Sequence, residues 1–75
     1  MDKKNLTTEE TFALAIQNHK KNNLQVAENL YTEILKTNPN HVDAHNNLGI
    51  IFLLNFNKEL MIKLNQENVI SNTQN

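Results

Sequence analysis

Laid on itself with an offset of 34 residues, the chain returns Leu14 on Leu48, Ile16 on Ile50, Leu30 on Leu64 and Ala15 on Gly49. Looser matches bring Val26 onto Leu60, Leu35 onto Val69 and Thr37-Asn38 onto Ser71-Asn72. A repeat of that length built from two helices is the mark of a helical solenoid. The constraint is severe, because each unit must bury its apolar face on its neighbour. An all-α fold of helical hairpin repeats, about four antiparallel helices, is the expectation.

The local pattern sets the elements. Thr7 with Glu10 three residues on fits a capping box that opens a helix over residues 8–20, and Glu9 and Glu10 suit the positive end of its dipole. Phe12, Ala15, Ile16 and His19 form one stripe on it, flanked by Leu14. "KKNN" breaks the periodicity, and Asn23 is placed to cap a second helix over 24–37. There Val26, Ala27, Leu30, Tyr31, Ile34 and Leu35 recur at i, i+3, i+4 spacing, the cleanest amphipathic pattern in the chain. Pro39 cannot continue that helix. Asn40, three residues before Asp43, is placed to cap a third helix over 41–54, whose second half, Ile50 to Leu54, has almost no polar face. After "NFN" a fourth segment, 58–70, carries Leu60, Met61, Ile62, Leu64, Val69 and Ile70 in a poorer pattern. Residues 1–7 and 71–75 read as disordered ends, leaving one repeat over 8–40 and a second over 41–70.

The residues from Ala27 to Phe52 carry a family resemblance. Ala27-x3-Tyr31 followed by Pro39, then His45-x2-Leu48-Gly49-x2-Phe52, resembles the back half of one tetratricopeptide repeat joined to the front half of the next. The resemblance implies packing roles for Leu14, Ala15, Ala27, Tyr31, Pro39, His45, Leu48, Gly49 and Phe52. Ala27 and Gly49 would be small where helices approach closely, and Tyr31 and Phe52 would fill the gap beside them. His45 would fill a bulky slot between helices. The second repeat departs from the pattern, with Met61, Asn65 and Thr73 at the positions of the family's Ala, aromatic and Pro. The fourth segment therefore reads as a degenerate helix, or as the place where a longer chain is cut short. Two repeats fall below the three that solenoid stability usually needs.

Composition excludes several functions. A formal charge of −1 offers no electrostatic case for nucleic acid or an anionic membrane, and no apolar run approaches a membrane span. With no cysteine there is neither a disulfide nor a thiolate metal site. The N-terminus lacks the apolar stretch of a secretory signal, which makes the cytoplasm the default. No cofactor motif is present, and a single glycine excludes a glycine-rich phosphate cradle. Glu9 and Glu10 diverge on their helix, so they form a cap and a solvated face rather than an acid–base pair.

His41 and His45, at i and i+4, could both reach one ion, but Asp43 points roughly 160 to 200° away, and two ligands alone make a weak site. The alternative places His41 exposed on the first helical turn and His45 in its packing slot, with no metal bound.

Binding is the better expectation. The resemblance implies a groove for an extended peptide, lined by the first helix of each repeat: Glu9, Phe12, Ile16 and His19 from one, Asp43, Asn46, Asn47, Ile50 and Leu53 from the other. Asn47, directly before Leu48-Gly49, is similar to an asparagine that hydrogen-bonds peptide backbone in some repeats of this kind. The expected function is a non-catalytic protein- or peptide-binding scaffold. A second reading is an N-terminal arm of a larger transferase, since similar repeats precede bacterial glycosyl-, sulfo- and methyltransferase domains. The exposed ends of such a solenoid could also pair with a second copy.

Overall fold

The computed structural model describes the backbone of residues 5–74 and the side chains of residues 5–66. It contains three helices, α1 (Thr8–Lys20), α2 (Leu24–Thr37) and α3 (Val42–Gln74), and no strand among the described residues.

α1 opens on the capping box. Glu10 N–H donates to Thr7 Oγ1 at 3.0 Å, and Thr7 N–H donates back to Glu10 Oε1 at 3.0 Å. Its C-terminus closes by two reversed hydrogen bonds, Asn23 N–H to Asn18 O at 2.8 Å and Asn22 N–H to His19 O at 3.0 Å. That pairing requires a left-handed residue between helices, and Asn22 supplies it with φ 67°. Asn tolerates this conformation better than most residues because its short polar side chain can bond locally. Asn23 occupies the N-cap of α2 but makes no cap hydrogen bond; its side-chain amide donates instead to Asn18 Oδ1 at 3.2 Å. The anticipated Asn23 cap is therefore positional only.

The core is small and has a clear logic. Ala15, Ala27 and Ala44, one from each helix, are fully buried, with Tyr31, Ile34 and Ile51 between them. Alanines let the helix axes draw close, and the larger side chains fill what remains. Phe12, Ile16, Leu24, Leu30, Leu35 and Leu48 pack around this centre. α2 is the middle layer, in contact with α1 on one side and α3 on the other.

The expected fourth helix is not separate. α3 is one continuous helix of 33 residues, about 50 Å long at 1.5 Å per residue, and its backbone runs through "NFN" and on to Gln74. The anticipated break at 55–57 and the anticipated frayed tail over 71–74 are both corrected; residues 1–4 and 75 lie outside the described ones. The physical reason is local: Asn55, Phe56 and Asn57 include neither Pro nor Gly, so nothing in them obliges a helix to stop. The molecule is consequently elongated, 62 × 29 × 17 Å, with the far part of α3 extending beyond the α1–α2 hairpin.

Three packing expectations fail for the same reason. His45 and Phe52 are exposed, and a Cβ built on Gly49 would meet nothing within 4 Å. Those residues share the side of α3 that a returning helix would cover, and the straight α3 leaves it open. Leu14 is also exposed, at the edge of the α1 stripe rather than in the core.

Candidate functional site

Among the described residues, the Tyr31 hydroxyl is where α1 and α2 exchange a side-chain polar contact, with Asn47 of α3 also influencing it. Tyr31 projects from the middle of α2 into the core and is fully buried. His19, in the last turn of α1, brings Nδ1 to 3.1 Å from the hydroxyl, its ring set edge-on to the Tyr31 ring at 6.0 Å. From α3, the Asn47 side chain lies near enough to influence the hydroxyl's ionisation. Burial pushes the Tyr31 hydroxyl above its ordinary pKa, and the Asn47 contact pulls it partly back by stabilising the ionised oxygen. No buried side-chain polar atom among the described residues lacks a partner. A phenol that must satisfy its hydroxyl inside an apolar core thus ties the helices to one arrangement.

A second junction lies at the start of α3. His41, not Asn40, is the cap: Ala44 N–H donates to His41 Nδ1 at 3.0 Å. A ring nitrogen can replace the usual hydroxyl or carboxylate because it accepts in the same place, three residues before the donor. The His41 ring also lies against Phe12 of α1, centroids 5.1 Å apart, and Phe12 in turn packs on Tyr31 at 6.0 Å. His41 is therefore half-buried, contrary to its expected exposure on the first turn.

His45 turns away, its Nε2 2.8 Å from the carbonyl oxygen of Pro39, which stands in the exposed turn between α2 and α3. The two histidines do not converge on a common point. Among the described residues no three His, Asp or Glu side chains gather as metal ligands, and no helix is long and apolar enough to cross a membrane.

The residues expected to line a groove divide into two sets. Asp43, Asn46 and Ile50 are exposed along one line of α3 at i, i+3 and i+7 spacing. Phe12, Ile16 and His19 are half-buried on α1, and Asn47 is half-buried on α3, all with structural contacts of their own. A cavity of about 500 Å³ lies elsewhere, between the start of α1 and the end of α2, where Leu6, Thr11, Leu30 and Ile34 are among its walls.

The packing of Leu48 of α3 against the core that holds Ala27 and Tyr31 of α2 belongs to a recognisable repeat. A family model described as tetratricopeptide repeat matches residues 30–68, just over half of the chain. The chain belongs to the tetratricopeptide repeat family. No curated protein and no solved structure matches it. The tetratricopeptide match begins in α2 and includes Tyr31 and Asn47, while His19 of α1 lies outside the matched residues. It also runs through residues 55–57, where this member keeps one helix instead of two.

The Tyr31 hydroxyl junction and the His41 cap were missed by sequence reasoning, and each had a faint signal. A tyrosine in place of phenylalanine at a buried helical position demands a polar partner, and the helix-terminal His19 was a candidate. A histidine directly before Val42 sits where a cap belongs.

Proposed function

We propose that this tetratricopeptide repeat chain is a non-catalytic scaffold that binds an extended peptide or a protein segment across α1 and α3. The observation that carries the reading is the exposed line Asp43, Asn46, Ile50 on α3, on a helix whose start the Phe12–His41 ring contact joins to α1. Such a line offers a carboxylate and an amide for backbone N–H and C=O groups and an apolar foothold between side chains, which suits an extended chain. Phe12, Ile16, His19 and Asn47 form the floor and hold the helices in place, while the exposed residues make the variable contacts.

Selection from a displayed peptide library tests this. Enriched peptides should lose binding at least tenfold to the Asp43→Ala, Asn46→Ala double variant while its melting temperature is unchanged, since neither residue is buried. Enriched peptides that bind the double variant as well as the parent would place the site elsewhere, the cavity beside Leu6 and Leu30 being the next surface to map.

A further inference from the structure

α3 carries a further apolar stripe besides its buried face and the exposed Phe52 and Phe56 on another side. Its first turns bury Ala44 and Ile51, with Leu48 beside them, against the hairpin. The further stripe, Ile50, Leu53, Leu54, Leu60, Met61 and Leu64, is between 41 and 59% exposed. At about 100° per residue, this stripe falls within an arc of roughly 120°, and Ala44, Leu48 and Ile51 point some 120 to 180° away from its centre. The stripe therefore faces away from everything α3 already touches. Lys58, Glu59 and Lys63 all lie about 100° or more from its midline, so no charge stands on it.

The order of the stripe is symmetric. Counted from Asn57, Leu54 and Leu60 lie three residues to either side, Leu53 and Met61 four, and Ile50 and Leu64 seven. Asn57 is itself exposed and sits at the midline of the arc. A surface with this order is complementary to itself under a two-fold axis perpendicular to the helix, which is the self-matching required of a dimer interface between identical chains.

We infer that α3 pairs antiparallel with α3 of a second copy, the two-fold axis passing at Asn57. Ile50 packs against Leu64 of the partner subunit, Leu53 against Met61 of the partner subunit and Leu54 against Leu60 of the partner subunit, and each pair occurs twice. The two Asn57 amides hydrogen-bond across the axis, because an amide carries both donor and acceptor. A single polar residue in an apolar seam sets register, since a slip by two turns would bury Asn57 against an aliphatic side chain without a partner. Six large side chains, each giving up on the order of 80 Å², bury about 480 Å² per copy, and ~960 Å² in total lies at the lower edge of what a specific interface buries. The α1–α2 hairpins stand at opposite ends of the paired helices.

The chain's lack of cysteine makes the register directly readable. At micromolar to millimolar concentration, light scattering should give twice the monomer mass of 8.7 kDa, and Leu60→Glu should return the monomer with its helical circular dichroism retained. Asn57→Cys should oxidise to a covalent dimer. An equal mixture of Ile50→Cys and Leu64→Cys chains should form the mixed disulfide in several-fold excess over either homodisulfide. A monomer mass throughout that range, a Leu60→Glu chain that stays dimeric, or Ile50→Cys chains that join chiefly to themselves would each overturn the assignment. Asn57 has no packing role in the monomer, so its cysteine variant reports on pairing even if Leu60→Glu fails to fold. Ile50 belongs both to the peptide line and to the seam, so peptide binding is measured on the Leu60→Glu monomer, which keeps failure of the pairing distinct from failure of the peptide site.

Discussion

The His19 imidazole and the Tyr31 hydroxyl, twelve residues apart on neighbouring helices, meet at 3.1 Å inside the core. The contact makes a buried phenol tolerable. Removing the hydroxyl with Tyr31→Phe deletes one buried hydrogen bond and leaves His19 and Asn47 without their common partner, an expected loss of about 1 kcal/mol in urea denaturation.

Because Tyr31 is the sole tyrosine, its ionisation can be followed by ultraviolet absorbance without interference. Its pKa is raised in the folded chain, so above the ordinary value near ~10 the native state keeps a proton that the unfolded state has lost. Stability from this group is complete below that pH and falls as pH rises toward the folded value. Asn47→Ala removes the opposing contact and should move the titration midpoint further up. An unchanged midpoint would show that Asn47 does not reach the oxygen.

Gly49 gives a sharp test of the straight α3. In a helix interior with open space where its Cβ would stand, Gly49→Ala should raise stability by about 1 kcal/mol from backbone entropy alone. A comparable loss would reveal a helix seated against Gly49, the arrangement the family pattern implies.

His41 combines a cap with a ring contact. His41→Ala should cost about 1 to 2 kcal/mol, from the lost cap and the lost stacking on Phe12. His41→Asn retains an acceptor at the N-cap and should recover roughly half of that in the same denaturation series.

Asn22 tests the turn between α1 and α2. Its left-handed conformation makes Asn22→Ala destabilising by about 1 kcal/mol, whereas Asn22→Gly should be neutral or stabilising. Thermal melts of the two variants separate the outcomes by sign.

The parts of the fold that were legible in the sequence are those fixed by short-range chemistry. The Thr7–Glu10 box and the Ala27, Tyr31, Ile34 face of α2 each lie within a few residues and need no knowledge of the rest. What was not legible depends on a surface supplied by another element. Whether Phe52 and His45 are buried depends on whether a helix returns over them, and nothing within a turn of either residue decides that. The uninterrupted helix through Asn55 and Asn57 is the same lesson in reverse, since asparagine is a weak helix former that terminates nothing by itself. For the candidate site, the exposure of Asp43 and Asn46 could be read from spacing on α3. The half-burial of Asn47 could not, because it follows from a hydroxyl on a different helix.

The layering of α1 on α2 and α2 on α3, with α1 and α3 meeting chiefly through the Phe12 and His41 rings, has a kinetic consequence. The two extensive interfaces join neighbours along the chain, so little loop entropy opposes assembly and folding should be fast. It should also be graded. Amide exchange should be slowest in α2, which is sandwiched, faster in α1 and the first turns of α3, and fastest along the outer part of α3 in the isolated monomer. A chain built this way opens from its ends, like a short ladder losing rungs, with α2 the last to go.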